Sequence, residues 1–205
     1  MRESLSRATV VAAARELLVT EGLNGLSLRR LASRLDVTAA ALYAYVDNKR
    51  DLLEAVIEQE FEALIEEFRN VPDGNPIERM CRMSWNYINF AQRNPRVFRT
   101  MFMFRAQLSP GQPSNDFAMA TKAFQEARQP LVDAMDQGLV CKADPLLTHL
   151  AIWTAVHGAA TVLLMGPDLD AYGDALAHTV IRTTVRGLST DEGVKLLEQV
   201  SFPSR

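Results

Sequence analysis

The sequence predicts an all-α protein: a small three-helix head with a helix-turn-helix, followed by a larger C-terminal helical bundle, about nine or ten helices in all. Three observations support this. Apolar residues recur at three- and four-residue spacing almost everywhere. Ser, Thr or Asp precede most of these runs and Gly or Pro follows them, which is the punctuation of helix starts and stops. No segment alternates apolar and polar residues between turn signals, so no strand is expected.

In the first helix Val10, Ala14, Leu17 and Leu18 form one stripe and Gly22 closes it. Ser27 is placed to cap a short second helix whose inner face is Leu28, Leu31, Ala32 and Leu35. Asp36 and Val37 make a tight turn. Thr38 then caps a third helix, with Leu42 and Val46 inward at i, i+4 spacing. Asp47 or Asn48 opens a long fourth helix over about 48–69, where Leu52, Leu53, Val56, Ile57, Phe61, Leu64, Ile65 and Phe68 hold the stripe until Pro72. At ~1.5 Å per residue this is a rod of ~30 Å. Further helices are expected from Ile77 to Arg93, from Asn94-Pro95 through Phe104, from about Asn115 to Leu139, from Asp144-Pro145 to Gly166-Pro167, and from about Asp170 to Gly187. Ser109–Pro113 reads as a loop. The expected division is a helix-turn-helix head at 1–50, the fourth helix as connector, and a larger helical region at 51–205.

Composition is that of an ordinary globular protein, with 48% hydrophobic and 23% charged residues. Cys81 and Cys141 show no metal-ligand spacing, so neither a zinc site nor a disulfide framework is expected, and no metal or cofactor. The N-terminus carries charges throughout and lacks a signal core. No window reads as the ~18 uncharged apolar residues of a membrane span, so a soluble cytoplasmic protein with no membrane partner is expected. Net charge is −3, but residues 1–50 carry +3 and the rest −6. A basic head on an acidic remainder is the asymmetry of a chain that meets phosphate at one end.

The stretch LSLRRLASRL-DV-TAAALYAYV has the short apolar-faced helix, compact turn and small or polar outer face of a helix-turn-helix, whose last helix enters the major groove. A helical hairpin without a DNA role is the competing reading of the pattern alone. EGLNGLSLRRLASRLDVTAAALYAYVDNKRDLLEAV resembles the DNA-binding head of the tetracycline-repressor (TetR) family, most tellingly at Leu42-Tyr43, Tyr45 and Asn48-Lys49 ahead of Leu52-Leu53. In the later half, Trp153, His157 and Gly158, with the preceding RNPRVFRTMF, resemble the TetR subgroup named for its Trp-His-Gly signature.

The DNA-contacting set is then Ser27, Arg29, Thr38, Ala39, Ala41, Tyr43, Tyr45 and Lys49. Thr38 caps the recognition helix where phosphate passes. Tyr43, one position after inward Leu42, faces outward, and the resemblance implies that its phenol reaches phosphate. Lys49 opposes the dipole of the fourth helix, which points to an external anion. Arg29 reaches a base edge or phosphate by analogy with relatives, whereas Arg34 reads as a solvated surface residue. Ala39 and Ala41 offer only methyl contacts to thymine, so direct base hydrogen bonds are few and DNA shape contributes much of the discrimination.

Met80, Trp85, Phe90, Met101, Phe102, Phe124, Trp153 and His157 are the ligand-binding candidates, because methionine-rich aromatic linings adapt to apolar guests. Close-packed core is the alternative for each of them. Ala151, Ala155, Gly158, Ala159 and Val162 put small residues on adjacent turns. The resemblance implies a homodimer interface there, over about 146–165 and 170–188, with half-sites ~34 Å apart. The function implied is a regulator of transcription, a repressor by the family's usual habit, that leaves double-stranded operator DNA when a small apolar or aromatic effector binds. The rival classes are an all-helical enzyme, for which no catalytic motif is present, and a small-molecule or lipid carrier without DNA affinity.

Overall fold

The computed structural model describes residues 5–108, 118–166 and 171–202, the side chains of 103–108 excepted. Ten helices occur among them: α1 Arg7–Gly25, α2 Leu28–Leu35, α3 Ala39–Leu42, α4 Lys49–Arg69, α5 Pro76–Arg93, α6 Pro95–Leu108, α7 Ala118–Asp136, α8 Pro145–Leu163, α9 Gly173–Leu188 and α10 Asp191–Gln199. The only strand-like pairing among the described residues is an isolated bridge, Val140 with Ser189. The expected loop at 109–113, the helix starts at Asn115 and Asp170, and the side chains of Met103 and Phe104 lie outside the described residues.

Helix punctuation follows the sequence closely. The Ser6 and Ser27 hydroxyls accept the amides of Thr9 (3.1 Å) and Arg30 (3.2 Å), satisfying donors that the first turns leave open. Gly22, at φ +73°, interrupts α1 where closure was expected. Asn48 accepts the amides of Arg50 and Asp51 and so opens α4. Helix α10 was not expected. Thr190 caps it by accepting the Gly193 amide, and Gly193 lies so close to the Leu139 carbonyl that no Cβ fits.

The chain forms two compact units. Unit one is residues 1–62 with 94–120, and unit two is 63–93 with 121–205. Packing therefore cuts across the expected boundary at 50, because α6 returns to the head. It packs on α1, where the Arg96 guanidinium donates to the carbonyls of Val19 (3.1 Å) and Thr20 at the end of that helix. The core of unit one is Val10, Leu18, Leu31, Leu42, Leu52, Leu53 and Met101, all buried. Glu60, 2% exposed, is paired there with Arg15.

In unit two α5, α8 and α9 pack on one another and α10 covers α5 and α9. Arg182 on α9 holds the chain after α10 by donating to the carbonyls of Leu197 (3.1 Å) and Val200 (2.6 Å). Helix α8 corrects one sequence expectation. Its 19 residues include no Asp, Glu, Lys or Arg, and it is long and apolar enough to cross a membrane by composition.

Candidate nucleic-acid interface and effector cavity

The turn between α2 and α3 rests on Asp36, whose left-handed backbone (φ 55°, ψ 46°) is tolerated by Asp better than by most residues. Thr38 caps α3 by accepting the Ala41 amide at 3.2 Å. Regular helix then lasts only four residues. The chain continues through tighter i→i+3 bonds, Ala44 to Ala41 and Tyr45 to Leu42. Despite this shortening the sides are partitioned as the spacing predicts. Leu42 is fully buried and Val46 nearly so, while the adjacent Tyr43 is 58% exposed. Thr38, Ala39 and Lys49 are exposed, and Ser27, Ala41 and Tyr45 are half-buried.

The arginines of the head divide sharply. Arg7 pairs with Asp51 (2.7 Å), Arg15 with Glu60, Arg30 with Glu21, Arg34 with Glu16 (2.6 Å) and Arg50 with Glu54 (2.8 Å). The Arg7 hydrogen bond holds the Asp51 carboxyl below its ordinary range. Arg29 is exposed and, among the described residues, makes no ion pair or hydrogen bond. The Lys49 ammonium donates to the Leu23 carbonyl at 3.2 Å, which engages one of its three protons and leaves two. The +3 charge of residues 1–50 is thus mostly spent on internal pairs.

Unit two contains a cavity of about 40 Å³. Its walls are two stripes at i, i+3, i+4, i+7 spacing, Met80, Met83, Ser84 and Tyr87 of α5 and His149, Ile152, Trp153 and Val156 of α8, closed by Phe68, Ala127 and Leu131. No Asp, Glu, Lys or Arg side chain lines it. Ser84 donates to the Met80 carbonyl at 2.8 Å. Tyr87 accepts from the Trp153 indole and donates to His157 Nδ1 at 2.7 Å. Trp153 stacks on His157 with centroids 5.0 Å apart. Burial lowers the pKa of His157, which keeps the Nδ1 lone pair available. His149 is 4% exposed, and its Nε2 is enclosed without a hydrogen-bond partner among the described residues. Burial first, and Arg128 second, bring its pKa down to about 4.

The structure brings Met80 and Trp153 to the cavity wall and His157 just behind it, through Tyr87. Phe124 meets the His149 ring edge-on at 4.4 Å. Trp85 lies instead with His178 and Phe202, at 4.6 and 5.8 Å. Phe90 is buried in unit two away from the lining. Met101 and Phe102 belong to unit one, where Phe102 meets Phe61 at 5.8 Å. The sequence places Tyr87 among the apolar residues of its helix and gives His149 by itself no distinguishing signal, so neither is among the ligand-binding candidates. The signal for His149 is a joint one, with Trp153 and His157 at successive four-residue steps.

Along α8, Ala151, Gly158 and Val162 are exposed and Ala155 is half-buried, so steps of four, three and four keep them on one side. Ala159, one position further round, is turned into the unit's own core, 5% exposed. The same side carries Leu147, Leu150 and Met165, exposed by 68%, 39% and 75%. The described residues include no cluster of three or more metal-ligating side chains.

Comparison with known proteins gives a consistent result. Residues 10–56 match the family described as bacterial regulatory proteins, tetR family, and residues 77–184 match a tetracyclin repressor-like C-terminal domain. The transcriptional repressor KstR of Rhodococcus jostii is 28% identical over 145 residues, 68% of either chain. A solved protein of unknown function from Rhodococcus sp. RHA1 superposes with a TM-score of 0.80 at 24% identity, covering 92% of this chain and 97% of its own. RolR, solved with resorcinol, gives 0.69 at 16% identity, covering 97% and 95%.

Proposed function

Because the chain belongs to the TetR family of DNA-binding regulators, we propose that it is a cytoplasmic homodimeric repressor that holds operator DNA through its head and releases it when a small apolar or aromatic ligand enters unit two. The observation that carries the reading is the split at Leu42 and Tyr43 beside an unpaired Arg29. One face of the helix-turn-helix is anchored in core while the other offers a phenol, a guanidinium and a capped helix start to the duplex. Exposed Ala39 and half-buried Ala41 lie between these groups, so phosphate contacts and Arg29 carry most of the affinity.

The uncharged α8 favours the dimer. An exposed row of Leu147, Leu150, Ala151, Gly158, Val162 and Met165 leaves apolar area in water that an identical α8 of a second copy covers, since small residues let helices approach closely. The same pairing explains the membrane-like composition without a membrane.

The ligand's influence has a covalent route. Phe68, on the cavity wall, and Lys49, at the DNA side, are the two ends of the single helix α4. Coupling requires the ligand to prefer one position of that helix, since equal binding to both positions shifts nothing. That RolR binds resorcinol on the same fold supports an aromatic effector.

The test is binding of operator DNA selected from random sequence, followed by fluorescence anisotropy from 50 to 200 mM salt, with sedimentation at micromolar protein. A regulator gives a dimer whose affinity falls by about 10³-fold or more over that range. A carrier or enzyme gives no selected sequence and no salt-dependent binding.

A further inference from the structure

We propose that the unit-two cavity recognises an uncharged, single-ring ligand bearing one hydroxyl, a phenol in chemical class, and that His149 is the residue that reads the hydroxyl. The proposal rests on the effector reading above and adds the ligand's chemistry to it.

The first observation is what the wall lacks. With no Asp, Glu, Lys or Arg on the wall, and His149 held neutral by burial, a carboxylate, phosphate or ammonium entering the cavity loses its hydration and meets no fixed counter-charge on the lining. The ligand is therefore neutral. The second is an accounting of the polar groups that are present. Ser84 is satisfied by the Met80 carbonyl, and Trp153, Tyr87 and His157 Nδ1 are joined in a chain of donors and acceptors. One group is left over. His149 Nε2 is buried without a hydrogen-bond partner among the described residues, in a ring that meets the edge of Phe124. A buried polar atom of this kind is costly unless something enters to meet it.

The partner's chemistry follows from the imidazole. Burial keeps it neutral to about pH 4, so it offers either an N–H or a lone pair at Nε2 but no charge. A hydroxyl both donates and accepts, and so fits either tautomer. The ring follows from size and walls. A space of about 40 Å³ admits a few waters and is well below the ~150 Å³ cavity known to take benzene. Even one ring enters only where the wall yields, and Met80 and Met83, unbranched and adaptable, are the side chains that give way, so the ligand is held to a single ring. Phe68, Tyr87 and Trp153 supply aromatic surface. A trapped water is the competing way to satisfy Nε2, and it predicts no discrimination among ligands.

The experiment is calorimetric titration of the full-length protein with phenol, toluene and benzoate. Toluene replaces the hydroxyl by a methyl of similar size, and benzoate adds a charge. Phenol is expected to bind about tenfold more tightly than toluene, the yield of one good hydrogen bond in a dry site, and benzoate not measurably. His149→Phe is expected to erase the phenol preference while still binding toluene. His149→Gln, which can donate and accept, is expected to keep most of it. Melting curves and sedimentation establish that each variant folds. If His149→Phe does not fold, the wild-type ranking and the Gln variant still decide. Equal binding of phenol and toluene, tight benzoate binding, no binding of any of the three, or an unchanged preference in His149→Phe overturns the proposal. DNA binding, measured separately on the same protein, distinguishes these failures from failure of the regulator reading: loss of phenol selectivity with intact salt-dependent DNA binding removes only the ligand class.

Discussion

The head and the cavity put one idea to opposite uses. In unit one Arg7, Arg15, Arg30, Arg34 and Arg50 are each tied to a carboxylate, while Arg29, with neither an ion pair nor a hydrogen bond among the described residues, stands outside in water. In unit two Ser84, Tyr87 and Trp153 are each tied to a neighbour, and the polar group left over, His149, stands inside. Both are unspent interactions. DNA brings dense charge that water does not screen away at contact, so the surplus group can wait in solvent. A small neutral ligand brings one weak hydrogen bond that counts only where water is excluded, so the surplus group has to wait in the core.

The comparison is broken most severely behind the recognition helix. Leu42→Ala removes a fully buried side chain and is expected to cost about 2–5 kcal/mol of stability, read by urea denaturation, with DNA affinity lost alongside it. Tyr43→Ala, one residue on, should leave the denaturation midpoint almost unmoved while weakening DNA binding. Equal destabilisation by the two would mean that the helix is not anchored as described.

Next comes the inner surplus group. The folded pKa of His149, about 4, lies below its ordinary 6.5, so the unfolded chain takes up the proton first. Stability is therefore fully present above about pH 6.5 and falls as pH drops toward 4. The loss is at most about 3 kcal/mol from this residue. His149→Phe should flatten that part of the pH–stability curve, and an unchanged slope would show that the imidazole is not held neutral.

Arg29→Ala is expected to weaken operator binding by about 1–3 kcal/mol without changing the melting temperature. Thr38→Ala should cost about 1 kcal/mol of stability through the lost cap, with a matching loss of DNA affinity. Arg34→Ala should change both by less than about 0.5 kcal/mol, because its pair with Glu16 is solvent-exposed. An Arg34 effect as large as that of Arg29 would dissolve the distinction between spent and unspent arginines.

The sequence made the outer group easier to find than the inner one, for a physical reason. Which side of a short helix faces water follows from i, i+4 spacing, and Leu42 against Tyr43 could be assigned from neighbours in the chain. The caps at Ser27 and Thr38 and the break at Gly22 are equally local. The surroundings of His149 are not, since they depend on which side chains of α5 and α7 arrive beside it. The aromatic residues of α5 illustrate this. Tyr87 lines the cavity while Trp85, two residues earlier, meets His178 and Phe202. The return of α6 to α1 was hidden for the same reason, because an apolar stripe tells that a helix is buried and not against what. Helix α10 was missed despite its Thr190-Asp191-Glu192 start, because nine residues containing Gly193 give too little periodicity to read.

The most direct measurement of the central claim is the affinity for selected operator DNA at fixed salt, by fluorescence anisotropy, with and without saturating small aromatic ligand. Release of the DNA by ligand in the wild-type protein, together with weak DNA binding by Arg29→Ala in either condition, is the expected result. Operator affinity that ligand binding leaves unchanged, in a protein shown by calorimetry to be saturated, would contradict it.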